Sequence, residues 1–231
     1  CYQDRLSYQT YDVAPLLGSG ENTIDIWLAD GWLRSQMMWR KIMLFNTWGS
    51  QIGAIAEIEA GGETLLATDS SWKSGLLPIL KSGIYFGESY DARLENLTAD
   101  QGSEPVKSFD PAVLIAHEIN GVKELEPLKL VSSFKDAEGR TIYDFGQNSG
   151  GYVPLEVEGE AGAKVSVEHA EILDKGVFSN TNMRTAEARL DYVLKGGGVE
   201  SYTPHFTFFG FRYVRVTIEG KAQIKSIVSI P

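Results

Sequence analysis

The chain has 231 residues, 43% hydrophobic and 23% charged, which is enough apolar material for one large or two ordinary cores and too much for a disordered segment. A formal net charge of −10 excludes a nucleic-acid partner, because nothing here neutralises phosphates. No run of ~18 apolar residues encodes a transmembrane helix, and three histidines without ligand spacing plus a single cysteine exclude a zinc ribbon or a disulfide scaffold.

Taken in chain order, the pattern is one of short alternating runs broken by glycine-rich turns, as in antiparallel sheets with one wet face. A helical turn is predicted around Val13–Leu17, ended by Gly18 and Gly20. Ile24, Ile26 and Leu28 then alternate with Thr23, Asp25 and Trp27. Ala54 to Ala60 reaches Gly61-Gly62 and turns back into Glu63 to Thr68, a hairpin signal. Periodicity is lost between about Asn96 and Asp110, in favour of turn formers. Beyond it Val153, Leu155 and Val157 alternate with Pro154, Glu156 and Glu158, and Ala161-Gly162 reverses the chain into Lys164–Val167. Gly196-Gly197-Gly198 separates Leu190–Leu194 from Ser201–Thr203, and Val214, Val216 and Ile218 close the series. The expected fold is all-β: two tandem antiparallel β-sandwich, jelly-roll-like domains, residues 1–100 and 101–231.

Several local signals dissolve on inspection. Asp144-Phe145-Gly146 matches a kinase tripeptide without the phosphate loop, strand lysine or catalytic loop that accompany it. Gly18-Ser19-Gly20 lacks the βαβ context of a nucleotide loop. Glu168 with Glu171, Glu88 with Asp91, and Asp174 are available as paired carboxylates, but among 31 acidic residues such neighbours belong to a solvated face. No catalytic residue is assigned.

Two charged positions interrupt the strand pattern. The inward register of Val165 and Val167 continues to His169 and Glu171, and Ile218, Val216 and Val214 traced backwards reach Arg212. Buried charges need partners, so Arg212 is expected to pair with Glu171 or Asp144, unless a bulge at Gly210 turns it outward. The tryptophans Trp27, Trp32, Trp39, Trp48 and Trp72 all fall in the first half. Of these Trp32, in Asp30-Gly31-Trp32, sets an aromatic beside an acid as sugar sites do. Asp30 and Trp32 are the sugar-binding candidates.

Longer motifs carry a resemblance. The first half holds Tyr8-Gln9-Thr10-Tyr11-Asp12-Val13, Gly20-Glu21-Asn22, Ala29-Asp30-Gly31-Trp32-Leu33-Arg34 and Tyr85-Phe86-Gly87-Glu88-Ser89-Tyr90-Asp91-Ala92-Arg93. The second holds Tyr143-Asp144-Phe145-Gly146-Gln147-Asn148, His169-Ala170-Glu171-Ile172-Leu173, Asn182-Met183-Arg184, Tyr192-Val193-Leu194-Lys195-Gly196 and Pro204 to Tyr213. In this order and spacing they resemble the N-terminal and concanavalin-like domains of the bacterial α-L-rhamnosidases. The resemblance implies a non-catalytic portion of an enzyme that removes terminal L-rhamnose with inversion, its acid and base lying in a helical α/α barrel after the second sandwich. It implies an L-rhamnose-containing glycan or glycoside and that catalytic domain as partners. The alternatives are a rhamnose-binding, calcium-dependent module or an accessory part of another glycoside hydrolase. No cofactor is required; calcium is the one ion implied, with Asp30 as its ligand. Asp144, Asn148, Glu171, Arg184 and Arg212 are expected to be structural or inter-domain polar residues.

Departures from the family pattern bear on these expectations. Gly31 supplies no amide side chain, Ala29 replaces a glycine, Leu33 a tyrosine, and Phe209 a histidine. The chain reads as starting inside its first sandwich, with no signal peptide. Cys1 is either the lipidated residue of a mature lipoprotein or the start of a fragment, so cytoplasmic and exported locations in a bacterium both stay open.

Overall fold

A computed structural model describes residues 4–37, 44–96, 101–102 and 113–231. Cys1, Trp39 and most of the stretch expected to divide the chain lie outside the described residues. The described residues are all-β, apart from 3₁₀ turns and one four-residue helix, α1 (Gly31–Arg34). No helix among them is long and apolar enough to cross a membrane.

The N-terminal half forms two-stranded ladders. Strand β1 (Leu6–Tyr8) pairs in parallel with a strand from far downstream, β8 (Leu114–Ala116). The predicted turn near Val13 is a 3₁₀ turn over Ala14–Leu16, with Pro15 in its first positions, where a missing N–H costs nothing. The expected hairpin is present as β2 (Glu57–Ala60) and β3 (Glu63–Ala67). Gly61 and Gly62 both take positive φ, the backbone a two-residue hairpin turn demands. A short ladder joins β4 (Lys73–Ser74) to β7 (Gln101–Gly102). The strand expected over Thr23–Leu28 does not form, since no neighbour hydrogen-bonds it among the described residues. Alternation marks which residues share a face; a strand also needs a ladder partner.

The second half is a β-sandwich. Strands β5 (Ile79–Gly83), β6 (Gly87–Asp91), β9 (Ser132–Lys135) and β10 (Thr141–Gly151) join β12 (Lys164–Ala170), β15 (Arg189–Val193) and β17 (Phe209–Glu219) in a seven-stranded sheet. Its order is β5, β6, β15, β12, β17, β10, β9, and all its pairings are antiparallel except β6 with β15. Facing it is a three-stranded sheet of β16 (Val199–Tyr202), β11 (Leu155–Gly159) and β18 (Ala222–Ile227). Between them Leu155, Val157 and Tyr202 pack with Val165, Val167, Leu190, Val214 and Phe211 in one buried cluster. Each fully buried aliphatic side chain there stabilises the fold by roughly 1.5–3 kcal/mol. A hairpin of β13 (Ile172–Asp174) and β14 (Val177–Ser179) covers a smaller cluster of Ile142, Ala170 and Phe178 on the outer face.

The seven-stranded sheet draws β5 and β6 from the N-terminal side of the boundary expected near residue 100. Gly87 makes this possible. It sits at φ +68°, and a Cβ there would lie 1.9 Å from the carbonyl oxygen of Arg189, so only glycine lets β6 approach β15.

Candidate functional site

Asp30 stands at the N-cap of α1 with φ and ψ already helical, and its side chain caps no backbone N–H. Its carboxylate instead faces the Nε of Arg34 one turn on, at 3.0 Å. Trp32 meets the ring of Tyr85 edge to face, with centroids 6.0 Å apart, so the turn expected at Asp30-Gly31-Trp32 is one turn of helix packed on the loop before β6. Calcium takes about six to eight oxygen ligands. Here one carboxylate is engaged by a guanidinium, Gly31 has no side chain to offer, and no three Asp, Glu, His or Cys stand together among the described residues. These residues do not fit a calcium ion, which sets aside the ligand role implied for Asp30. Of the other tryptophans, Trp27 packs edge-on against His205 at 4.8 Å and the Trp72 indole donates to the carbonyl of Ala67.

The second constellation lies at one end of the large sheet, where four separate motifs converge. The register between β10 and β17 slips between Asp144 and Ser149, so that Asp144 opposes Tyr213, Ser149 opposes Phe211, and Arg212 is left without a partner residue in the ladder. This irregularity, two residues beyond Gly210, takes Arg212 out of the inward register that Val214 and Val216 predict. Its guanidinium donates from Nε and an Nη to the two oxygens of Asp144, at 2.8 and 2.9 Å, and lies over the ring of Tyr213. That bidentate hydrogen bonding holds the Asp144 carboxyl below the usual carboxylate range. Glu171 has other partners: the amides of Asn148 and Asn182 donate to its two oxygens, at 3.3 and 2.5 Å. Arg184 is exposed just past a 3₁₀ turn, with φ +60°.

His169 is fully buried between Phe209 and Phe211, with ring centroids at 4.1 and 4.7 Å. Burial pushes its pKa down to about 4, against a weaker opposing effect from the Nδ1 hydrogen bond to the carbonyl of Ala188. The neutral ring is a core element. Phe209, which replaces the family's usual histidine, is its inward stacking partner.

The sequence places Glu88 and its neighbour Asp91 on a solvated face, whereas the structure buries both. Glu88 is 2% exposed and accepts hydrogen bonds from the Tyr202 hydroxyl at 2.5 Å and from the backbone N–H groups of His205 and Phe206. Burial, and then this carboxylate, push the Tyr202 hydroxyl pKa far up. Tyr90, two residues on, lies against the rings of Tyr192 and Tyr202 at 5.6 and 4.1 Å. The Gly87-Glu88-x-Tyr90-Asp91-Ala92-Arg93 motif is thus a clasp: Gly87 for close approach, Glu88 and Tyr90 to grip the sandwich, and Asp91 to cap a 3₁₀ turn and bind Arg93. The signal available beforehand was an acid two residues before a tyrosine in a run that alternates apolar and polar residues poorly.

Comparison with known proteins places these motifs in a family. Residues 134–230 match the concanavalin-like domain of the bacterial alpha-L-rhamnosidases, and residues 1–124 match the alpha-L-rhamnosidase N-terminal domain. An alpha-L-rhamnosidase from Streptomyces avermitilis is 32% identical, aligned over 98% of this chain and 23% of its own length. One from Formosa agariphila is 28% identical over 93% of this chain and 25% of its own. The crystal structure of the native rhamnosidase of Aspergillus terreus superposes with a TM-score of 0.87 at 30% identity, covering 99% of this chain and 28% of that one. The Streptomyces avermitilis enzyme complexed with L-rhamnose gives 0.82 at 29% identity, over 99% of this chain and 23% of that one. The chain therefore spans about a quarter of the length of the relatives it matches. By both domain matches and by fold, the chain belongs to the α-L-rhamnosidase family.

Proposed function

We propose that this chain is the non-catalytic β-sandwich portion of an α-L-rhamnosidase, supporting a catalytic domain that hydrolyses terminal α-L-rhamnose from glycosides or polysaccharides with inversion. The observation that carries this is how its carboxylates are used. A glycosidase needs one carboxylic acid with a raised pKa to protonate the leaving oxygen. Among the described residues every Asp or Glu with a displaced pKa is displaced downward: Asp69, Asp91, Asp136, Asp144, Glu158 and Asp191. Four of the five candidates for a catalytic pair are already engaged, Glu168 by Arg215, Glu171 by two amides, Asp91 by Arg93 and Glu88 by three donors, and the fifth, Asp174, is exposed at the end of β13.

The buried Glu88 contacts serve a supporting role well. They tie β6, from before residue 100, to β16 of the facing sheet and to the loop that follows it, a rigid base for a further domain. Incubating the purified chain with an aryl α-L-rhamnoside tests the proposal. No aglycone is expected to be released; turnover abolished by changing any one carboxylate of this chain would overturn it.

A further inference from the structure

The outward face where β10 meets β17 carries more than the Asp144–Arg212 pair. Toward the start of β17 burial alternates: Thr207, Phe209 and Phe211 are buried, while Phe208 is 60% exposed. At the end of β10 burial alternates too: Gly150 is exposed, Gly151 buried, Tyr152 half-buried and Val153 buried. Gly150 is paired with Gly210, so the middle of this face has no side chains. A Cβ on Gly150 would meet nothing within 4 Å, and one on Gly210 would meet only the Glu171 carboxylate, at 3.3 Å.

The result is a bare floor with two unlike rims. At one end stands the exposed ring of Phe208. At the other stands Glu171, held by the amides of Asn148 and Asn182. Residues two apart on a strand are about 7 Å apart, which leaves room over the glycine pair for one six-membered ring. Because both amides give their NH₂ groups to Glu171, their carbonyl oxygens remain as hydroxyl acceptors beside the carboxylate. An aromatic edge for an apolar surface, with acceptors arranged before a ligand arrives, is the chemistry that recognises a neutral sugar.

We propose that this face is a carbohydrate subsite for one neutral pyranose, its apolar edge on Phe208 and its hydroxyls directed to Glu171 and the two asparagine carbonyls. The inference rests on the rhamnoside reading above and adds to it a location away from Asp30 and Trp32. A 6-deoxy sugar fits the division into rims, since its methyl group belongs with the aromatic end.

The test is a titration of the ¹⁵N-labelled 231-residue chain with methyl α-L-rhamnoside, with methyl α-D-glucoside as control. Chemical-shift changes are expected at 148–152, 171–172 and 208–210. Phe208→Ala and Asn182→Ala should each weaken binding at least tenfold. Both side chains are exposed, so the melting temperature should stay within about 2 °C. Shifts confined to the neighbourhood of Asp30 and Trp32, an affinity untouched by both variants, or no shift at all would overturn the subsite. An aryl rhamnoside added to the same samples separates the two proposals: aglycone release speaks only against the non-catalytic assignment, and the titration only for or against the subsite.

Discussion

The sandwich between Thr141 and Ile227 and the segment from Thr23 to Trp72 are built from similar residues and hold together differently. In the first, Val153, Leu155 and Val157 are at most 1% exposed because a facing sheet covers them. In the second, Ile24, Ile26 and Leu28 each keep more than a third of their surface in contact with solvent, and Leu65 and Leu66 of β3 are exposed too. Hydrophobic residues give a deep core where two sheets face each other and a thin one where ladders have two strands. Two-stranded ladders are marginal alone, so the stability of the described structure resides in the sandwich and in the clasp that ties β5 and β6 to it.

That contrast is broken most severely at Glu88. Glu88→Ala removes the acceptor for Tyr202 and for two backbone N–H groups in a site closed to water, and a loss of roughly 3–5 kcal/mol is expected. Glu59→Ala, on the exposed ladder β2, should change stability by less than about 0.5 kcal/mol. Denaturant melts of the two variants measure the difference, and equal losses would dissolve the distinction between the regions.

His169 gives the next largest effect, and its sign is fixed by burial. Its folded pKa of about 4 lies below the unfolded value near 6.5, so the unfolded chain binds the proton first. The stability it contributes is fully present above pH ~6.5 and is lost as the pH falls toward 4, about 3 kcal/mol over that window. His169→Phe should flatten this part of the pH–stability curve. The carbonyl of Ala188 would still accept the backbone N–H of residue 169, so the variant is expected to fold. An unchanged slope between pH 6.5 and 4 would show that His169 is not buried neutral.

How much of this was legible in the sequence follows from the range of each interaction. The turns at Gly61-Gly62 and Ala161-Gly162, and the inward rows of β11, β12 and β15, are local and were readable from alternation. The buried His169 was readable as a polar residue in an apolar row. Arg212 was readable as a residue in need of a carboxylate, and the choice of Asp144 over Glu171 was decided by a register slip that no short window reveals. Glu88 was not readable, because its donors lie more than 110 positions away, one at the end of β16 and two on the loop that follows it. The parallel pairing of β6 with β15 was hidden for the same reason. In the Thr23–Leu28 run the alternation was present and, among the described residues, the ladder partner was not.

Arg212→Ala is the third test. It leaves the buried Asp144 carboxylate without its bidentate donor, and a loss smaller than that at Glu88 is expected because the guanidinium is partly solvated. Arg212→Lys should recover only part of it, since a single ammonium cannot span both oxygens. The Asp144 carboxyl is held low, so this contribution is present above the unfolded value near 3.9 and fades as the pH falls below it. Full recovery by lysine would show that charge, and not the fork, holds the bulged strands.

The smallest effect, at Gly62, belongs to the most direct comparison of the two regions, because its counterpart Gly87 is the same residue type at similar φ. Gly62 in the β2–β3 turn has φ +84° and nothing within 4 Å of a Cβ, while Gly87 has φ +68° and the Arg189 carbonyl 1.9 Å away. Gly62→Ala therefore meets only the intrinsic cost of a left-handed alanine, about 1 kcal/mol. That cost should appear as faster hydrogen exchange at 57–67, with the cooperative melt of the sandwich unmoved. Gly87→Ala adds a backbone collision, so β6 must leave β15, and protection should be lost across 79–91 and 189–193 together. If exchange in the sandwich sped up equally in both variants, the hairpin and the sandwich would be one cooperative unit after all, and the thin core of the N-terminal half would be bearing load that its exposure hides.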